Sequence, residues 1–338
     1  MVFHEVGRPL AIEEHDIPTL SDGEVLVRVT CCTVCGSDLH TFNGDRPGPT
    51  PSILGHEIIG VVEDFASEVV DVTNRPITKG DRLTWSVAAS CHCCQRCTEG
   101  MPQKCETLFK YGHERLSETG PNGGLAEFCL LQKGTAIVSL SNELPDNVLS
   151  PANCATATVA AAIRTAGGLQ GKRVLVLGAG MLGLTASAIA KTQGAAHILV
   201  CDVDLSRQEK AQRFGATATD SKPHGQFDVV FEMSGNPAAV ESAVASADLG
   251  GVVVLVGSVS PTRTAAVDPE HIVRQLISIH GVHNYRPQDL VTAVQFLQEF
   301  QGSFPFGELV EQTFSLDQAN EAFEYAFANR PIRVAVVP

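Results

Sequence analysis

The segment Arg173-Val174-Leu175-Val176-Leu177-Gly178-Ala179-Gly180-Met181-Leu182-Gly183 carries more structural information than any other in the chain. A short apolar run ends in G-x-G-x-x-G, and a helical pattern follows over 183–193. Each glycine has a task in a dinucleotide-binding turn. Gly178 permits the tight bend, Gly180 lets a pyrophosphate approach the backbone, and Gly183 lets helix pack on strand. The helix start then offers free N–H groups and a positive dipole end to phosphate. Asp202 stands 24 residues after Gly178 and closes a further strand pattern over 197–202. A carboxylate there suits ribose hydroxyls and repels a 2′-phosphate, so NAD is expected over NADP. Arg207 argues the other way, because it can pair with that phosphate. Asp202 and Asp204 together outweigh it.

Working outward, strand and helix patterns alternate after about Pro151. Ser206-Arg207-Gln208-Glu209 reads as a capping box opening a helix that stops at Gly215. Strand patterns follow over 227–232, 252–256 and 277–282. Near-continuous apolar strands between helices imply a doubly wound parallel sheet. Before Pro151 the texture is β-rich, with strand patterns over 24–29, 58–62 and 83–87 and dense Gly and Pro over 44–51 and 120–124. That suggests an antiparallel, barrel-like domain with functional loops. Two helical patterns, 288–300 and 317–328, and an apolar strand over 332–337 end the chain and are expected to return to the first domain. The expected division is 1–153 with 284–338 as one domain and 154–283 as the other.

Composition agrees. The 338 residues fit two domains of about 150 each. Acidic side chains outnumber basic ones, 38 to 24, which argues against nucleic acid as a partner. The longest charge-free apolar stretch, 174–190, contains Gly178, Gly180 and Gly183 and is shorter than the roughly 20 residues of a membrane span. The opening MVFHEVGRPL lacks the apolar core of a signal peptide, so a cytoplasmic protein is expected.

Five of the 11 cysteines fall within 91–105. Cys91, Cys94, Cys97 and Cys105 are spaced to close a tetrahedron around zinc, in a lobe with little apolar content of its own. Such a closed site is structural, and Cys93 and His92 read as bystanders. Cys35, His56 and Cys154 would make a Cys2His site with an open position for water or substrate, although scattered ligands prove nothing by spacing. Cys31, Cys32, Cys129 and Cys201 read as packing thiols.

Taken with Cys35-Gly36-Ser37-Asp38-Leu39-His40, Gly55-His56-Glu57 and Gly123-Gly124-Leu125-Ala126-Glu127, these features cover the whole chain. The sequence resembles the zinc-dependent medium-chain alcohol dehydrogenases. The resemblance implies a GroES-like catalytic domain, with the zinc lobe at about 90–106, beside a Rossmann domain. It implies two zinc ions per chain and NAD. Cys35, His56 and Cys154 become catalytic zinc ligands, with Glu57 by the metal and Asp38 holding the tautomer of His56. Ser37 and His40 become a proton relay, Thr158 a neighbour of the nicotinamide, and Arg333 a basic group near the pyrophosphate. Gly36 replaces the basic residue that liver-type members carry there.

The implied reaction exchanges a hydride between a primary or secondary alcohol and NAD. Global similarity points to a subgroup associated with phosphonate catabolism, which makes a hydroxyalkyl phosphonate a candidate substrate. His113, Arg115, His283 and Arg286 are candidates to meet an anionic or polyhydroxylated substrate. A polyol- or threonine-type dehydrogenase is the alternative, followed by a non-catalytic cofactor-binding relative. A zinc-free reductase of the same superfamily would lack the ligand cysteines. A homodimer or homotetramer is expected, with 252–256 and 265–267 proposed as its interface.

Overall fold

The structure is a computed structural model that describes residues 1–116 and 120–338. The chain divides into two compact units. One comprises Met1–Ala157, Arg286–Glu299 and Phe306–Pro338, and the other Thr158–Tyr285 with Phe300–Pro305. Among the described residues no helix is long and apolar enough to cross a membrane.

The second unit is built on a six-stranded parallel sheet. Its order is Ser278–Gly281, Ala247–Leu255, Phe227–Glu232, Arg173–Leu177, His197–Cys201, Ala218–Asp220. The apolar runs are buried on both faces, as a covered parallel sheet requires. The strand order reverses between Arg173–Leu177 and Phe227–Glu232, and ligands of such sheets bind beyond the strand ends at that point. Gly178 follows directly, with φ +101°, and a Cβ there would press on Ser234. Helix Met181–Thr192 begins with Gly180 as its N-cap. A Cβ on Gly183 would lie 1.8 Å from the Gly178 carbonyl oxygen, so this helix start closes on the turn only without a side chain there.

One expectation needs correcting in this unit. Helix Leu205–Arg213 is capped by Asp204, not by Ser206. The Asp204 carboxylate accepts the N–H groups of Ser206 and Arg207, and an ionised oxygen is the stronger acceptor for those orphan donors. The segment 252–256 lies in and just after Ala247–Leu255, which is paired on both sides. The exposed edge is Ser278–Gly281.

The first unit holds an eight-stranded sheet. Val25–Thr33 lies inside it, antiparallel to Glu57–Phe65, Phe128–Leu131 and Arg333–Val337. Val310–Ser315 adds parallel to the last of these, so the sheet is mixed rather than purely antiparallel. Val25, Val27, Ile58, Leu83, Trp85, Leu125 and Val336 fill its core. The C-terminal strand therefore completes the sheet begun by Val25–Thr33, as expected of the returning tail.

Candidate active site

The first donor cluster is assembled by a short helix and a strand start. Helix Gly36–Asn43 has Cys35 as N-cap and Asp38 at its third position. One Asp38 oxygen accepts the Cys35 N–H at 2.9 Å. The other meets His56 Nδ1 at 3.0 Å and the Gly55 N–H at 3.3 Å. Because a carboxylate accepts, Nδ1 carries the proton and Nε2 turns to the cluster. Nε2 lies 3.4 Å from Cys154 Sγ and 3.5 Å from Ser37 Oγ. Cys154 arrives through the turn Ser150–Asn153, which is stitched to the strand beside His56. Ser150 Oγ donates to the Glu57 carbonyl at 2.7 Å, and Asn153 Nδ2 donates to the carbonyls of His56 and Trp85.

Glu57 is fully buried and paired with Arg333. Arg333 Nε and Nη2 donate to separate oxygens at 2.8 and 2.9 Å, and Thr33 Oγ1 donates at 2.6 Å. Arg333 Nη2 also reaches Cys35 Sγ at 3.6 Å. The Cys35 thiol is held well below its ordinary value, first by the Cys154 thiol and then by Arg333 and His56. Its charge in turn pushes Cys154 up. Donor atoms of Cys35, His56, Glu57 and Cys154 all lie within 4.8 Å of one another. Two thiolates, an imidazole and an adjoining carboxylate form a set suited to zinc with a position open to exchange.

The second cluster is formed by Cys91, Cys94, Cys97 and Cys105. Its sulfur separations include 3.4, 3.9 and 4.0 Å. Sulfurs about 2.3 Å from a central zinc would be about 3.8 Å apart in a regular tetrahedron. Backbone N–H groups of Cys93 and Cys94, then the Cys105 thiol, lower Cys91 to about 5, which favours the ligating thiolate. Cys93 is exposed and outside the cluster.

In the other unit, Asp202 Oδ2 accepts the Ala179 N–H at 2.7 Å and Oδ1 that of Asp204 at 3.0 Å. This ties the acidic residue to the glycine turn. A Cβ built on Gly180 would meet only Arg207 Nη1, at 4.0 Å, so open space lies over that backbone. An uncovered helix start with a guanidinium at its margin fits a pyrophosphate.

Both halves of the chain match known protein families. Residues 21–142 match the alcohol dehydrogenase GroES-like domain and 182–299 the zinc-binding dehydrogenase family. The chain is 30% identical to 5-exo-hydroxycamphor dehydrogenase of Pseudomonas putida, covering 96% of this chain and 95% of that one. The chain belongs to the zinc-dependent medium-chain alcohol dehydrogenase family. It is also 28% identical to L-threonine 3-dehydrogenase of Alteromonas mediterranea, over 96% and 95% of the two chains. The crystal structure of an alcohol dehydrogenase from Thermotoga maritima superposes with a TM-score of 0.94 at 25% identity, covering 100% and 98%.

This member of the family is therefore a zinc-dependent oxidoreductase acting on CH–OH groups with a nicotinamide dinucleotide. Cys35, His56, Glu57 and Cys154 form its catalytic zinc site, and the four lobe cysteines its structural one. The structure places the other expected residues individually. Ser37 lies at the catalytic cluster, and His40 is exposed with Nδ1 3.3 Å from Asp45. Thr158 is half-buried on helix Ala155–Ala166, and Arg333 is bound to Glu57. His113 stacks obliquely near His56, with ring centroids 4.8 Å apart. Arg286 instead lies beside Gly100 in the zinc lobe, and Arg115 is exposed. Cys31, Cys32, Cys129 and Cys201 are buried, as packing thiols should be. Sequence reasoning missed Ser150, Asn153 and Thr33. Only the run Ser150-Pro151-Ala152-Asn153 immediately before Cys154 hinted at them.

Proposed function

We propose that this dehydrogenase oxidises a primary or secondary alcohol, polyols included, with NAD as acceptor, and reduces the corresponding carbonyl in reverse. The carrying observation is the Asp38–His56 contact, which turns His56 Nε2 toward the sulfur of Cys154. When bound, zinc supplies the charge that lets an alcohol lose its proton near neutral pH, and the nicotinamide accepts the hydride. Cys35, His56 and Cys154 would hold the metal, with Glu57 adjoining it. Ser37 Oγ, beside His56 Nε2, accepts the substrate proton as it gives up its own hydroxyl proton. His40 stands one helical turn further on the same face and returns that proton to water. Asp202 and the turn at Gly178, Gly180 and Gly183 hold the adenosine half of NAD, Arg207 its phosphates, and Thr158 adjoins the nicotinamide. Residues 1–153 and 284–338 serve as the catalytic domain and 154–283 as the NAD-binding domain.

The deciding experiment is an NAD-reduction screen across alcohols, polyols, threonine and hydroxyalkyl phosphonates, with zinc measured on the same sample. Two zinc ions per chain and NAD reduction on an alcohol support the reading. Absence of turnover on every alcohol, with both zinc ions bound, would overturn it. Equal saturation by simple alcohols would count against a phosphonate substrate.

A homodimer or homotetramer is part of this reading. The edge Ser278–Gly281 is unpaired on one side, and exposed Leu249, Val273, Leu276 and Ile279 accompany it. A second copy of this chain is the proposed occupant of that edge, and Val273→Asp should shift the protein to monomer in sedimentation. The thiol-rich zinc sites suit a reducing compartment, the cytoplasm.

A further inference from the structure

The strand Glu57–Phe65 opens at its start on both sides, and one turn fills both openings. On one side it runs antiparallel to Arg82–Ala89. The Val62 N–H donates to the Asp81 carbonyl at 2.9 Å, and Gly60 faces Leu83. Hydrogen-bonded pairs recur every second residue in such a ladder, so Ile58 and Trp85 come next and would exchange N–H and C=O directly. An amide stands between them instead. The Ile58 N–H donates to Asn153 Oδ1 at 3.3 Å, and Asn153 Nδ2 donates to the Trp85 carbonyl at 2.9 Å. The Ile58 carbonyl is taken by Thr84 Oγ1 at 2.9 Å.

On the other side, Thr33 of Val25–Thr33 faces Glu57. The Thr33 N–H donates to Ser150 Oγ at 3.2 Å, and that hydroxyl donates to the Glu57 carbonyl at 2.7 Å. Both wedges belong to the turn Ser150–Asn153, and both side chains are fully buried. A direct ladder bond at each place would satisfy the same backbone groups without burying an amide and a hydroxyl, whose desolvation is unfavourable. The chain accepts that cost where two metal ligands meet. Asn153 Nδ2 also donates to the carbonyl of His56 at 3.0 Å, and Cys154 follows Asn153 directly. The same amide thus touches the backbone of one ligand and adjoins the other in sequence. Cys154 Sγ and His56 Nε2 stand 3.4 Å apart. A sulfur and a nitrogen sharing one tetrahedral zinc would be about 3.5 Å apart.

We propose that Asn153 is a positioning residue of the catalytic zinc site: its amide, inserted between Ile58 and Trp85, holds the two strands one side chain apart and fixes Cys154 at ligating distance from His56. Asparagine suits the task because one short planar group carries two donors and an acceptor. Aspartate has the shape without the donors, and serine has the donor without the reach. A direct Ile58–Trp85 bond would close the gap through which the turn brings Cys154 to the metal.

The test alters Asn153 and measures the metal rather than turnover. Asn153→Asp keeps the volume and loses both amide donors. Its catalytic zinc should be held about 10–100-fold more weakly in chelator competition, with the lobe zinc retained. With zinc kept in the lobe and cobalt(II) in the catalytic site, thiolate-to-cobalt charge-transfer absorption reports the sulfur ligands. That absorption should fall toward the level of Cys154→Ser. Asn153→Ser is read in the same way and decides the matter where Asn153→Asp does not fold. Folded variants with the parental affinity and spectrum would overturn the positioning role, however much stability they lose. A weaker site with the parental spectrum would overturn it as well, because Cys154 would still ligate. Failure of both variants to fold at saturating zinc would also overturn it, by assigning the amide to the fold rather than to the site. None of these readouts uses a substrate, so their failure and the failure of the alcohol-oxidising reading are distinct.

Discussion

Arg333 grips both oxygens of Glu57 through Nε and Nη2, at 2.8 and 2.9 Å, with the carboxylate wholly shielded from water. A guanidinium in that position is the counter-charge of a buried acid. Arg333→Leu should therefore cost about 3–5 kcal/mol of stability, because an uncompensated carboxylate remains. Urea denaturation measures it. The pair Glu57→Gln with Arg333→Met should recover much of the loss. A variant that keeps full stability and changes only the KM for NAD would assign Arg333 to the cofactor alone.

Asp38 bonds both the Cys35 N–H and His56 Nδ1, so it positions two ligands at once. Asp38→Asn should weaken zinc at the catalytic site by about 10–100-fold. Chelator competition followed by metal analysis would read this as loss of one zinc, with the lobe zinc retained. Two equally tight zinc ions in the variant would contradict the positioning role.

Cys35→Ser removes a zinc ligand without touching the glycine turn. Turnover should vanish while NAD binding, followed by fluorescence, stays close to that of the parent. Cys97→Ser acts in the other cluster. It should release the second zinc and expose 91–105 to protease, because that lobe contributes only Cys105 to the buried apolar core. A Cys35→Ser enzyme with full activity would dismiss the ligand assignment.

Gly180 and Gly183 separate cofactor binding from folding. Gly180 has φ −80° and open space above it, so Gly180→Ala should fold normally yet bind NAD about tenfold more weakly or worse. Gly183→Ala would drive a methyl into the Gly178 carbonyl and should lose at least about 1–3 kcal/mol. Calorimetry with and without NAD separates the two. Unchanged affinity in Gly180→Ala would move the pyrophosphate elsewhere.

Asp202 is held by the Ala179 N–H at the mouth of the turn, with Arg207 close by. Kinetics with both cofactors should favour NAD, and Asp202→Ala should narrow the gap as a negative charge leaves the ribose site. An enzyme that prefers NADP would give Arg207 the deciding role.

The amino-acid sequence by itself determined the parallel sheet, the glycine turn and the four-cysteine lobe. In each, the required residues are neighbours along the chain, so strand period, tight-turn chemistry and ligand spacing are local properties. It also showed Asp204, but its rule for helix starts chose Ser206, because a capping box is recognised without weighing which acceptor is charged. Only the tertiary structure decided what surrounds the catalytic zinc site. Cys35, His56 and Cys154 lie on separate segments, joined through Ser150 and Asn153 by hydrogen bonds to backbone carbonyls that no spacing encodes.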